Sequence, residues 1–111
     1  MKLSDKKCSS CLGIVAALSE NEVKSLLSQV ENWHLSIDKK WLYKEYKFKD
    51  FSSALAFVNK VADISEQQNH HPNIEFTWGY CKILIQTHKI NNLCEADFIL
   101  AAKIDQIADF S

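Results

Sequence analysis

The chain has two glycines and one proline in 111 residues. That scarcity excludes a collagenous, loop-rich or low-complexity protein. No apolar run approaches the roughly 18 residues that read as a membrane span. Neither sign of charge dominates, since thirteen basic residues face fourteen acidic ones for a formal net charge of −1. A general nucleic-acid binder needs a basic face to displace counterions, and this balance argues against one. With glycine only at Gly13 and Gly79, no glycine-rich phosphate loop can be built, and no G-x-S-x-G nucleophile elbow occurs. The four cysteines, Cys8, Cys11, Cys81 and Cys94, are too few and too scattered for a disulfide scaffold.

What is present suits one domain. Apolar residues make up 47% of the chain, and a chain of this length buries roughly 65% of its unfolded surface, enough for one core. Cys8 and Cys11 form a C-x-x-C without a second pair at zinc spacing, and read as two thiols in a mobile tail. A thioredoxin-like redox pair would need the motif at a helix start, and here it sits near the chain end, ahead of any strand. Cys81 and Cys94 read as core or half-buried thiols. Lys6, Lys7 and the apolar stretch from Cys11 to Leu18 faintly suggest a signal peptide, but Gly13 interrupts the stretch and Asp5 spoils the basic leader. Ser19 and Glu22 form an S-x-x-E capping box, flanked by Leu18 and Val23 as a hydrophobic staple. A chain that starts a helix at this point is expected to keep it, and the protein to be cytoplasmic. Residues 1–17 then form a tail and 18–111 the domain.

Val23, Leu26, Leu27 and Val30 fall at helical spacing and predict a helix over about Glu20 to Val30. Trp33, Leu35 and Ile37 alternate as a strand, Asp38-Lys39-Lys40 is a turn, and Trp41 to Phe48 pairs back as a hairpin. Asp50 caps a second helix, which carries Phe51, Ala54, Leu55, Val58, Val61, Ala62 and Ser65 and ends before Pro72. Ile74, Phe76 and Trp78 alternate as a third strand, Gly79 lies near a turn, and Tyr80 to His88 forms a fourth. Asn91-Asn92 turns into a last helix from Glu95 to about Asp109. The order α-β-β-α-β-β-α predicts an α+β domain, a four-stranded antiparallel sheet with three helices on one face. Trp41 and Tyr43 fall on the strand face opposite Leu42, Tyr46 and Phe48, which points to self-association.

The chemistry-bearing segment is Glu66-Gln67-Gln68-Asn69-His70-His71-Pro72. A hairpin of the last two strands would bring His88 to the same end of the sheet as His70 and His71, with Glu66 one helical turn before His70. Three readings compete. Histidines at element ends often serve only as caps and hydrogen-bond partners. Three imidazoles can also bind metal, but adjacent residues in extended chain point apart, which disfavours His70 and His71 as joint ligands. The third reading is metal-free general acid–base catalysis, one imidazole giving a proton while another accepts one. His34 reads as a surface strand residue, and Trp78 as core or site wall.

The spacing Glu66-x3-His70-His71-Pro72-x5-Trp78-x9-His88-x8-Asp97 resembles the signature of the pterin-4a-carbinolamine dehydratases. Phe48-Lys49-Asp50-Phe51, Trp33 and the helix bearing Asp97-Phe98-Ile99 and Ala101-Ala102 are also similar to that family, so the likeness covers about Leu18 to Ala108. The leading Cys8-x-x-Cys11 resembles the tail of bacterial members that accompany phenylalanine hydroxylase. The resemblance implies an antiparallel sheet with three helices on one face, a homodimer or homotetramer, and conversion of 4a-hydroxytetrahydropterin to quinonoid dihydropterin and water. It implies no metal and no cofactor beyond the pterin substrate. It implies that His70 and His88 are the acid–base pair, that His71 mainly binds substrate, and that Glu66 orients an imidazole. Pro72, Trp78 and Asp97 would complete the substrate site. Two departures stand out: Asn92 replaces a glycine in the turn before the last helix, and Cys94 replaces a Ser or Thr cap. Some members of the family bind protein partners or act in assembly instead, and such a scaffold would be expected to lose the histidines that this chain keeps.

Overall fold

The structure is a computed structural model that describes residues 3–6 and 17–108. Its elements are α1 (Glu20–Leu27), β1 (His34–Leu35), β2 (Leu42–Lys47), α2 (Phe51–Gln68), β3 (Asn73–Thr77), β4 (Tyr80–Ile85) and α3 (Glu95–Ala108), with a single 3₁₀ turn at Leu3–Asp5. The expected order and α+β class are those found. The strands form one antiparallel sheet in the order β1-β2-β4-β3. The β1–β2 and β3–β4 hairpins are joined by β2 and β4, which pair from Leu42↔Ile85 to Lys47↔Tyr80. No helix among the described residues is long and apolar enough to cross a membrane.

Alternation on the central strands sets the two faces. Leu42, Cys81, Ile83 and Ile85 are fully buried and face the helices. They meet Phe57 and Val61 of α2 and Phe98, Ile99, Leu100 and Ile104 of α3. Each such side chain taken from water contributes about 1.5–3 kcal/mol. Burial pushes the Cys81 thiol up to about 11. The other face carries Trp41, Tyr43, Lys82 and Leu84, only partly covered, around a recess of about 510 Å³ that Ile37 and Asn73 also line. Ile37, expected in the first strand, is fully exposed beyond it.

The helix starts follow the sequence. Ser19 Oγ accepts from Glu22 N (3.2 Å) and Glu22 Oε1 accepts from Ser19 N (2.9 Å), a complete capping box. The latter bond holds the Glu22 carboxyl below its ordinary range. Asp50 Oδ1 accepts from Ser53 N at 2.8 Å and caps α2. At the turn before α3 the left-handed residue is Asn91 (φ 47) and not Asn92, the expected glycine substitute.

Residues 3–6 do not stand apart from the domain as a tail. Leu3 is 5% exposed within the core. Lys103 Nζ donates to Ser4 O (2.8 Å) and Gln106 Nε2 to Ser4 Oγ (2.9 Å), tying the 3₁₀ turn along α3. Lower on α3, Asp105 accepts three donors: Trp33 Nε1 (2.9 Å), Lys44 Nζ (2.9 Å) and Tyr46 Oη (2.8 Å). The sheet, the α1–β1 connection and α3 thus meet at one carboxyl.

Candidate functional site

The left-handed cap of α2 sets the site. Asn69 (φ 51, ψ 42) ends the helix, and its N–H returns to Glu66 O and Ser65 O. Asparagine tolerates this conformation where most residues do not. His70 N then donates to Ser65 O at 3.1 Å, and Pro72 holds the chain extended into β3. Because β3 and β4 are antiparallel, with Asn73 opposite Leu84, the start of β3 and the end of β4 share one end of the sheet. His70, His71 and Pro72 therefore lie at the same end as His88.

His70 and His71 point to different carboxyls. His70 Nε2 lies 2.7 Å from Asp97 Oδ1, with 12% of the His70 side chain exposed and none of Asp97. His71 Nε2 lies 2.7 Å from Glu66 Oε2, and both of those side chains are mostly exposed. An ionised carboxylate can only accept; facing one, each Nε2 is the donor and Nδ1 is the second ring nitrogen. Such a nitrogen is a base when the ring is neutral and an acid when it is protonated. Glu66 was expected one turn before His70 as its partner. The reversal at Asn69 breaks that helical register and gives Glu66 to His71 instead.

Asp97 is not placed to touch a substrate. It is fully buried, and both its oxygens are taken. Oδ1 meets His70, while Oδ2 accepts from Thr87 Oγ1 (2.8 Å) and from Cys94 N (2.8 Å). The bond from Cys94 N is the N3-to-cap half of a capping box, and it satisfies the N–H of the cap residue itself. Cys94 is buried and disulfide-bonded rather than a free thiol, whereas Cys81 is free. Cys8 and Cys11 lie outside the described residues.

His88 is exposed, and its ring stands edge-on to Trp41 at 6.0 Å and 71°. It follows Thr87, and the alternation of an extended chain sends the threonine inward to Asp97 and the histidine outward. Trp78 is not brought to this end. It sits 66% exposed at the β3–β4 turn, six residues from Pro72 at about 3.3 Å each, or roughly 20 Å away. Its spacing in the signature runs along a strand and does not close in space. Thr87 is the site residue that sequence reasoning missed, because a threonine beside a histidine carries no periodic signal. Among the described residues no three His, Cys, Asp or Glu side chains converge as a metal-ion site.

Comparison with known proteins points to one family. The family model described as pterin 4 alpha carbinolamine dehydratase matches residues 16–107. A provisionally named pterin-4-alpha-carbinolamine dehydratase of Halorhodospira halophila is 45% identical over 96% of this chain and 98% of its own. One of Rickettsia bellii, named in the same provisional way, is 50% identical over 93% of this chain and 91% of its own. Among solved structures, a transcriptional coactivator/pterin dehydratase from Brucella melitensis superposes with a TM-score of 0.80 at 29% identity, covering 84% of this chain and 99% of that one. A pterin dehydratase-like protein described as a RuBisCO assembly factor in the alpha-carboxysome superposes with a TM-score of 0.61 at 28% identity, over 70% and 90% of the two chains.

Proposed function

Since the chain belongs to the pterin 4 alpha carbinolamine dehydratase family, we propose that it dehydrates 4a-hydroxytetrahydropterin to quinonoid dihydropterin by histidine acid–base catalysis without a metal. The observation that carries the reading is the His70–Asp97 pair at 2.7 Å, its carboxyl fully buried, with an exposed His88 at the same sheet end. Hydroxide is a poor leaving group. A protonated imidazole donates its proton to the 4a-hydroxyl as the C4a–O bond breaks, and water departs. The N5 lone pair forms the new C4a=N5 double bond, and as the N5 proton passes to a second, neutral imidazole or to solvent the N–H bond pair becomes the nitrogen lone pair. His70 and His88 fill these roles, either one as the acid, according to which face of the ring bears the hydroxyl. His71, with Nε2 held by Glu66, binds the pterin beside them. General acid–base help of this kind supplies typically ~10²–10⁴-fold.

On this reading the pterin is the substrate and no separate cofactor is needed. The protein works in the cytoplasm as a homodimer or homotetramer, and a phenylalanine hydroxylase is the source of the carbinolamine. The partly covered sheet face around Trp41, Tyr43 and Leu84 supports assembly. A second reading, a protein-binding or assembly member of the same fold, is favoured by the names of two of the solved neighbours. The complete histidine and carboxyl set favours the enzyme.

The test is the decay of freshly generated 4a-carbinolamine followed by absorbance. Acceleration that survives exhaustive chelation is expected. No acceleration over buffer leaves the protein-binding reading, and a loss restored by added zinc returns the metal reading.

A further inference from the structure

We infer that Thr87 is a positioning residue for His70, acting through Asp97; the inference rests on the dehydratase reading only for its kinetic half. His70 follows a left-handed helix cap, so no regular backbone fixes its ring. Its side chain is anchored by the bond from Nε2 to Asp97 Oδ1 (2.7 Å). The aim of the imidazole is therefore only as good as the aim of the carboxyl.

The second torsion of an aspartate is broad, and a carboxyl held at a single point can rotate. Asp97 Oδ2 is held from two directions. Cys94 N reaches it from its own helix start at 2.8 Å, and Thr87 Oγ1 from the chain beyond β4 at 2.8 Å. The first donor travels with α3, whereas the second ties the carboxyl to the sheet. Removing the Thr87 hydroxyl leaves Oδ2 with one anchor and frees the carboxyl plane to turn, and Oδ1 turns with it.

Thr87 is itself fixed. It is 4% exposed, its N–H donates to Asn92 O at 3.0 Å, and a β-branched side chain is stiff at its first torsion. A hydroxyl has one hydrogen to give. Asp97 Oδ2 lies at 2.8 Å and Cys94 Sγ at 3.1 Å from it. The carboxylate oxygen is the stronger acceptor, so the hydrogen goes to Asp97. The dipeptide Thr87-His88 thereby serves both proposed acid–base groups. It carries one and, through Asp97, aims the other.

The experiment uses the full-length protein with ¹⁵N-labelled histidine, with His70 resonances assigned from a His70→Gln variant. Wild type should show His70 as a single Nε2–H tautomer. Thr87→Val should replace that signature by averaged ring-nitrogen shifts and lower kcat roughly 10–100-fold, as loss of an outer-shell orienting partner does, with KM within twofold. Thr87→Ser, which keeps the hydroxyl, should restore both. Should the valine variant fail to fold, Thr87→Ala removes the hydroxyl without placing a methyl against the carboxyl, and the same loss of tautomer signature is expected. A wild-type His70 signature in a folded variant lacking the hydroxyl overturns the inference. A wild type without dehydratase activity overturns the dehydratase reading, while the tautomer comparison still decides the role of Thr87.

Discussion

Glu66 is bound to His71 and not to His70, although His70 lies one helical turn farther along the chain. The 2.7 Å contact between Glu66 Oε2 and His71 Nε2 exists because Asn69 turns left-handed between them. That turn sends the two adjacent imidazoles to opposite environments. His70 reaches a carboxyl sealed from water, and His71 reaches one in solvent. Two histidines in sequence thus become two chemically different groups.

If His70 and His88 act as the acid–base pair, they can partly replace each other. Single substitutions to Ala should leave residual dehydration, and the double variant should fall to near the uncatalysed rate, a loss of up to ~10⁴-fold. Rates of carbinolamine decay check this. Full activity in the double variant removes both residues from the mechanism.

The 3₁₀ turn at Leu3–Asp5 should contribute to stability. Leu3 packs in the core at 5% exposure, and Leu→Ala substitutions at such sites cost about 2–5 kcal/mol. Leu3→Ala should shift the urea midpoint down accordingly, and deletion of residues 1–6 should do at least as much. An unchanged midpoint would detach this turn from the domain.

Cys81 should be chemically silent while the chain is folded. Its thiol, pushed by burial up to about 11 from an ordinary 9.0, is ionised in roughly one molecule in a thousand at pH 8. Iodoacetamide at that pH should leave the Cys81 peptide unlabelled in native protein and label it in denaturant, as read by mass spectrometry. The sign of the linkage follows. Between about 9 and about 11 the unfolded chain has lost a proton that the folded chain keeps, so this thiol lowers stability as pH rises through that window. Rapid native labelling would show that the strand opens locally.

Assembly should depend on the sheet face away from the helices. Trp41→Glu or Tyr43→Glu should weaken self-association roughly tenfold or more while leaving the melting transition of the domain in place. Sedimentation equilibrium reads this directly. A wild-type chain that stays monomeric at ~100 μM removes the proposed dimer.

The helices and hairpins were legible because periodicity is local. Ala54 and Val61, or Ile83 and Ile85, announce their faces within a few residues. The caps at Ser19 and Asp50 were equally readable, since each satisfies donors only three positions away. The junction of β2 with β4 was not, because nothing local to either strand names its partner across the sheet. The same holds for polar contacts of long range. Trp33 meets Asp105 across 72 positions, and Leu3 finds the core from the far end of the chain. In the site, the histidines and their carboxyls were visible as residue types at fixed spacing. Their pairing was not, because it turns on one left-handed residue. Asp97 was read as touching substrate because the motif gives its position and says nothing of its burial.

Helix α3 bears Asp97 near its start and Asp105 near its end, eight residues and roughly 12 Å apart along its axis. One is bonded to His70, Thr87 and the Cys94 backbone, the other to Trp33, Lys44 and Tyr46. Apolar packing alone lets a helix slide or swivel against a sheet at small cost, because one leucine resembles the next. Two carboxyls with fixed partners do not permit that. A slip of one residue would advance the helix by ~1.5 Å and rotate it by ~100°, breaking both sets of bonds at once and stranding two carboxyls. The helix is therefore indexed at two points, as a key is by its teeth. A change at the Asp105 end, among residues with no part in the chemistry, should be felt as a misaligned imidazole at the other.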